Sequence, residues 1–145
     1  MNTAPNNASN GTERNTPLFS IVTVTYNNED GLSKTRQSIL SQPRRHEACL
    51  FEWIIIDGAS TGGTADILHD CPAHIISEPD QGIYDTMNKG IGHCRGQYAI
   101  FMNAGDIFAA PDTLAKLAAD IAKLPAKPDF IYGDALEELD AAQTS

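Results

Sequence analysis

The order of apolar and polar positions along the chain spells out repeated strand and helix units. Phe19-Ser-Ile-Val-Thr-Val-Thr25 alternates apolar and β-branched residues, which marks a strand, and Tyr26-Asn27-Asn28 after it is loop chemistry. From Glu29 to Gln42, Leu32, Ile39 and Leu40 recur at helical separations, and Pro43 closes the segment. Phe51-Glu-Trp-Ile-Ile-Ile-Asp57 is a nearly continuous apolar run, as expected of a strand buried on both faces, with Trp53 in the core. It ends in a carboxylate and enters the turn-rich stretch Gly58-Ala-Ser-Thr-Gly-Gly-Thr64, whose Gly62-Gly63 pair either turns the chain or lets backbone approach a ligand. Thr64 is suited to cap a short helix carrying Ile67 and Leu68, and His74-Ile-Ile-Ser77 reads as a third strand. Ile83, Met87 and Ile91, spaced four apart, predict a third helix with that stripe turned to the core. Gln97-Tyr-Ala-Ile-Phe-Met102 is a fourth strand and Asn103-Ala-Gly-Asp106 the turn out of it. A last helix opens at Pro111-Asp112 on the stripe Leu114, Leu117, Ala118, Ile121 and Leu124, and Phe130-Ile-Tyr132 reads as a fifth strand.

Strand and helix alternate with connections too long for hairpins, so the predicted class is α/β, a mostly parallel sheet with helices on both faces. Ligands of such sheets bind beyond the carboxyl ends of the strands. The stretches 25–28, 57–64, 78–82 and 103–106 are therefore expected to converge, and chemistry is to be sought there.

With 145 residues, 41% of them hydrophobic and 20% charged, the chain fits one folded domain and excludes collagen, coiled coil and wholesale disorder. Residues 1–16 have neither the basic start nor the apolar centre of a secretory signal and are expected to be a disordered leader. The domain is expected over 17–136, with a frayed acidic tail at 137–145. No apolar run approaches the ~20 residues that span a bilayer, so no integral membrane segment is expected. Cys49, Cys71 and Cys94 are odd in number and lack metal-ligand spacing, and His46, His69, His74 and His93 lack it too. A cytoplasmic location fits best.

The net charge of −9 is less informative than its placement: between His46 and Asn88 there are eight acidic residues and no Lys or Arg. Such a surface repels a polyanion, which argues against nucleic acid as a partner. An anionic ligand here would need help from a cation. No G-x-G-x-x-G opens the first helix and no G-x-x-x-x-G-K-[ST] is present, so neither familiar phosphate cradle applies. The strand ends instead supply carboxylates, Asp57, Asp80, Asp85 and Asp106, hard oxygen ligands of the kind that hold Mg²⁺ or Mn²⁺ against a diphosphate.

Five stretches, in order, resemble the glycosyltransferase family 2 enzymes of GT-A fold. They are Ser20-Ile-Val-Thr-Val-Thr-Tyr-Asn27, Trp53-Ile-Ile-Ile-Asp-Gly-Ala-Ser-Thr61, Ser77-Glu-Pro-Asp-Gln-Gly-Ile-Tyr-Asp-Thr-Met-Asn-Lys-Gly90, Phe101-Met-Asn-Ala-Gly-Asp106 and Ile131-Tyr-Gly-Asp134. The resemblance implies transfer of a sugar from a nucleoside-diphosphate donor, a UDP-sugar, to a glycan or lipid-linked acceptor, with Mg²⁺ or Mn²⁺ as cofactor. It implicates Thr25, Tyr26 and Asn27 in lining the nucleotide pocket, Asp57 in hydrogen-bonding the base, and Asp85, Asn88 and Lys89 in approaching the donor. Asp106 matches the last aspartate of the family's D-x-D motif, which ligates the metal.

The chain departs from the pattern at Asn103, where many relatives carry an acid, at Gly62, where an S-T-D-G-T pattern has aspartate, and at Met87, where arginine is common. Family catalytic domains are also longer, with the acceptor-activating carboxylate well past the D-x-D turn, whereas 39 residues follow Asp106 here. The chain is thus expected to be the donor-binding part, C-terminally incomplete, and no catalytic base is assigned. Its rival is a truncated, non-catalytic nucleotide-binding or interaction module. A receiver-like phosphate-binding domain is disfavoured, because the first strand does not end in an acidic cluster.

Overall fold

The computed structural model describes residues 16–42, 50–79 and 82–126. In chain order these form β1 (Phe19–Thr25), α1 (Glu29–Leu40), β2 (Phe51–Asp57), α2 (Gly62–His69), β3 (His74–Ser77), α3 (Ile83–Gly92), β4 (Tyr98–Phe101) and α4 (Thr113–Ala122). The four strands make one sheet in the order β3-β2-β1-β4, and all three pairings are parallel. Val22 lies opposite Ile54 on one side and Phe101 on the other, and Thr25 lies opposite Asp57, which lies opposite Ser77. That register brings the carboxyl ends of β1, β2 and β3 level. The expected leader, the fifth strand at Phe130-Ile-Tyr132, Asp134, the acidic tail and Asp80 fall outside the described residues.

Both faces of the sheet are covered, as a parallel sheet requires. On one, Phe19, Ile21, Trp53 and Ile55 pack with Leu32 and Ile39 of α1, Leu68 of α2, and Leu114 and Ile121 of α4. Trp53 is core, and its indole N–H donates to Thr23 Oγ1 at 2.9 Å. Gln42, buried just past α1, donates through Nε2 to the Ala110 carbonyl at 2.8 Å and accepts from the Leu114 N–H at 3.0 Å. The side chain thereby ties the end of α1 to the start of α4. The second face, Val22, Ile54 and Ile56, is covered by α3.

Helix α3 departs from its predicted orientation at Ile91, which is 51% exposed, while among the side chains described Thr86 and Gly90 are the buried positions. The reason is steric. Gly90 rests directly on the Val22 side chain, where no Cβ fits, so the helix approaches on its small-residue face. Helix α2 also begins earlier than expected, at Gly62 after Thr61, so Thr64 is a buried residue inside the first turn rather than its cap.

At the amino ends of the strands, Glu52 organises the loop before β4. Its Oε2 accepts from Ser20 Oγ and from the Arg95 N–H, both at 2.6 Å, and its Oε1 accepts from Arg95 Nε at 3.1 Å. Burial raises the Glu52 carboxyl, but the hydrogen bonds from Ser20 and Arg95 and the guanidinium charge outweigh burial and hold it below the ordinary glutamate range. No described helix is long and apolar enough to cross a membrane.

Two outcomes follow. Gly90→Ala adds about 1 kcal/mol of helix propensity but overpacks Val22 at a cost of about 1–3 kcal/mol, so chemical denaturation should show net destabilisation. A net gain would mean that α3 does not sit tightly on Val22. The depressed Glu52 carboxyl contributes fully above the unperturbed value of about 4.3 and loses that contribution as pH falls through its folded value. The wild type should therefore lose more stability in that acidic window than Glu52→Gln does; parallel curves would refute the network.

Candidate functional site

Beyond the carboxyl ends of the strands a cavity of about 180 Å³ is lined from every neighbouring loop: Thr25, Tyr26 and Asn28 after β1, Asp57 and Gly58 after β2, and Glu78 and Pro79 after β3. Thr86 and Lys89 of α3 and Asn103 and Ala104 after β4 complete the wall. Of the residues expected at the site, Thr25, Tyr26, Asp57 and Lys89 line the cavity directly. Asn27, Asp85, Asn88 and Asp106 do not, and each has a distinct position.

Asp57 is 1% exposed and holds three loops together. Its Oδ1 accepts from Ser60 Oγ at 2.5 Å, and its Oδ2 accepts from the Ser60 N–H at 3.0 Å and from Ser77 Oγ at 2.7 Å. The Asp57 carbonyl accepts from the Glu78 N–H at 2.9 Å. A carboxylate offers about four acceptor sites, and three are used here. One is not used by these three bonds. Asn27 works from the other side: in the left-handed region at φ 44°, its N–H donates to Ser60 Oγ at 2.8 Å and its Oδ1 accepts from the Thr61 N–H at 3.0 Å. It fastens the loop after β1 to the loop after β2 without itself facing the cavity.

Tyr26 is 62% exposed, and its ring lies over Gly58, where a Cβ would come within 3.1 Å of Tyr26 Cδ1. The absence of a side chain at Gly58 leaves room for the ring beside the cavity wall. Thr25 Oγ1 is buried there with no hydrogen-bond partner among the described residues. Such an atom is costly unless a ligand or water meets it.

Lys89, on α3, forms an ion pair with Glu78 and lies 3.5 Å from Asp85. The hydrogen bond to Glu78 pushes its ammonium above the ordinary lysine range, against partial desolvation, and the charges of Glu78 and Asp85 add to the effect. Asp85 therefore acts on the cavity through Lys89. Asn88, next along α3, is exposed and away from the lining.

The 103–106 turn closes on itself: the Asn103 N–H donates to Asp106 Oδ2 at 2.9 Å and the Asp106 N–H to the Asn103 carbonyl at 2.8 Å. It is anchored to β1 by the Ala104 N–H donating to the Val24 carbonyl at 3.0 Å. Gly105, at φ 108°, is needed for this path. Asp106 is exposed beside the cavity, with Oδ1 making no hydrogen bond to a described residue. Among the described residues no cluster of three or more His, Cys, Asp or Glu could hold a metal. One carboxylate facing solvent fits a hard cation that takes its other ligands from substrate phosphate and water, which is the usual habit of Mg²⁺, and does not fit a closed protein cage.

Sequence reasoning missed Ser60, Ser77, Glu78 and Thr86. The i, i+3 spacing of Asp57 and Ser60 is an Asx-turn signal that was available; the approach of Ser77 depends on sheet register and was not.

Residues 20–132 match the Glycosyl transferase family 2 model. The chain belongs to this family. A glycosyltransferase of Mycobacterium tuberculosis (strain H37Rv) is 38% identical over 103 residues, which cover 69% of this chain and 38% of that one. The chain thus spans less than half the length of that relative. Among solved structures, Staphylococcus aureus TarS in complex with UDP-GlcNAc superposes with a TM-score of 0.64 at 22% identity, covering 72% of this chain and 31% of that one. The mannosyltransferase PcManGT of Pyrobaculum calidifontis, in complex with GDP-Man and Mn²⁺, gives 0.58 at 25% identity, covering 75% and 33%. The architecture is that of the GT-A glycosyltransferases.

Asp57→Ala strips the acceptor from two hydroxyls and an N–H at once, and should destabilise the domain by about 2–4 kcal/mol in denaturant titrations. A loss within experimental error would show that the three loops hold without it.

Proposed function

We propose that this family 2 domain binds the nucleotide part of a UDP-sugar in the cavity between the β1, β2 and β3 loops, as the donor side of a glycosyltransferase. The acceptor in this reading is a glycan or a lipid-linked saccharide, and the work is done in the cytoplasm, a setting that suits the free thiols of Cys71 and Cys94. The observation that supports it most is the convergence of Thr25, Tyr26 and Asp57 on one cavity: an aromatic face, an unsatisfied hydroxyl and a buried carboxylate with a free acceptor site. These suit a planar base with N–H donors and a neighbouring polar group.

The same cavity carries two carboxylates, Asp57 and Glu78, against one ammonium, Lys89. A diphosphate is therefore repelled unless a divalent cation accompanies it. In this reading Asp106 contributes a carboxylate oxygen to Mg²⁺ or Mn²⁺, which when bound offsets the charge that a departing diphosphate develops. The chain's own residues do the rest: Tyr26 and Asp57 orient the base, and Lys89, on leaving Glu78, supplies a second positive charge to the phosphates. Asp85 and Asn88 border that approach. The family relationship and the Mn²⁺ in the mannosyltransferase complex support this reading.

Calorimetric titration of UDP with Mn²⁺, and again with chelator, tests it, with GDP as the control for the base. Binding of UDP that requires Mn²⁺ and is lost in Asp106→Ala, with the thermal midpoint unchanged, is the expected result. Tight binding in chelator, or an unaffected Asp106→Ala, would overturn the metal role. Binding without sugar transfer or donor hydrolysis would instead favour a nucleotide-binding module.

A further inference from the structure

Thr35 sits in the middle of α1 with no exposed surface, in a position where a helical threonine usually bonds a carbonyl one turn back in its own helix. Here the hydroxyl is engaged some seventy residues away in sequence. Thr35 Oγ1 accepts from the Gly105 N–H at 2.9 Å and donates to the Asp106 carbonyl at 2.7 Å, with the Asn103 carbonyl at 3.3 Å as a second acceptor. One buried side chain therefore touches the backbone of three of the four residues in the 103–106 turn. The neighbouring groups on α1 assist: the Gly31 carbonyl also receives the Gly105 N–H at 3.0 Å, and Asn28, which caps α1 by accepting from the Gly31 N–H at 3.0 Å, donates to the Ala104 carbonyl at 3.4 Å.

We infer that Thr35 is the positioning residue for the 103–106 turn, setting where the Asp106 carboxylate stands and hence how well the domain binds a nucleoside diphosphate with a divalent cation. The inference rests on the role given to Asp106 above. The carboxylate has one internal tether, the Asn103 N–H, and that tether belongs to the same turn, so it fixes shape but not placement. Placement comes from outside the turn. β1 supplies a backbone anchor at Ala104, and α1 supplies the anchors at Gly105 and Asp106, the latter through the Thr35 hydroxyl. Removing the hydroxyl leaves the Asp106 carbonyl without that donor, on the same residue whose side chain is proposed to meet the metal. Such supporting groups typically change metal affinity by 10–100-fold when lost.

The test uses the full chain and three variants, Thr35→Val, Thr35→Ala and Thr35→Ser, with UDP titrated calorimetrically across a range of Mn²⁺ concentrations. Thermal midpoints are measured in parallel. Thr35→Val keeps the shape and loses the hydroxyl, and should raise the Mn²⁺ needed for half-maximal UDP binding by roughly tenfold. UDP binding in chelator should stay at the wild-type level, and Thr35→Ser should restore the Mn²⁺ response. A merely structural role would lower the midpoint without moving the Mn²⁺ response of the folded fraction. An unchanged Mn²⁺ response in Thr35→Val overturns the inference while leaving the donor reading intact. So does unfolding of both Thr35→Val and Thr35→Ala beside a folded, normally binding Thr35→Ser. Absence of Mn²⁺-dependent UDP binding in the wild type would sink the donor reading itself, a result recognisable before any variant is made.

Discussion

The site depends on burying one carboxylate at the end of a central strand. Asp57 occupies a position that the apolar run of β2 carries into the interior, and a charge there is tolerated only where donors surround it. Ser60 and Ser77 are those donors, and they come from two different loops. Meeting the hydrogen-bonding demand of Asp57 therefore closes the loop after β2 on itself and draws the end of β3 against it. Ser60 then passes the constraint on, because its hydroxyl also accepts the Asn27 N–H. The loops after β1 and β2 and the end of β3 acquire a shared geometry from the need to satisfy one buried group.

The fourth loop is held differently. The turn after β4 is anchored by β1 and α1, on the opposite side of the cavity from Ser77. The cavity thus lies between two polar networks that share no side chain, one centred on Asp57 and one on Thr35. Lys89 stands between them on α3, where Gly90 seats closely on Val22. Its ammonium has Glu78 and Asp85 as partners when no ligand is bound. The cost of drawing Lys89 toward a ligand is then an exchange of one anion for another, which is small compared with exposing a bare charge.

Much of this was legible from residue pattern. The alternation of strands and helices, the parallel class and the convergence of the loops at the strand ends follow from hydrophobic periodicity and the position of polar residues after apolar runs, while the choice of Asp57 among the acids there came from the family resemblance. The orientation of α3 was not, because a stripe of Ile and Met outweighs Thr86 and Gly90 in any hydropathy count, whereas in the fold the absence of a side chain at Gly90 is what lets the helix approach. The start of α2 was missed for a related reason: Gly62, at φ 63°, turns the chain into the helix two residues before the hydroxyl that looked like its cap. The partners of Asp57 from β3 and of the 103–106 turn from α1 are long-range, and no local spacing reveals them.

Two of the three residue departures from the family pattern, at Gly62 and Asn103, acquire physical meaning from these contacts. Gly62 stands where an aspartate is usual, yet Gly63 beside it has the Glu29 carboxylate lying over its Cα, so an acid is still present near the first turn of α2, supplied by α1 instead. Asn103 replaces an acid, but the bond that shapes its turn uses the Asn103 backbone N–H and the Asp106 side chain. The side chain at 103 is thus unnecessary to the turn's conformation. Because Asn103 lines the cavity, the loss of an acid there removes one negative charge from a wall that already carries two carboxylates against a single lysine. The substitution weakens the wall's hold on a cation and, by the same amount of charge, weakens its repulsion of a diphosphate. The two effects oppose each other, and in the proposed reading the cation's place then rests on Asp106.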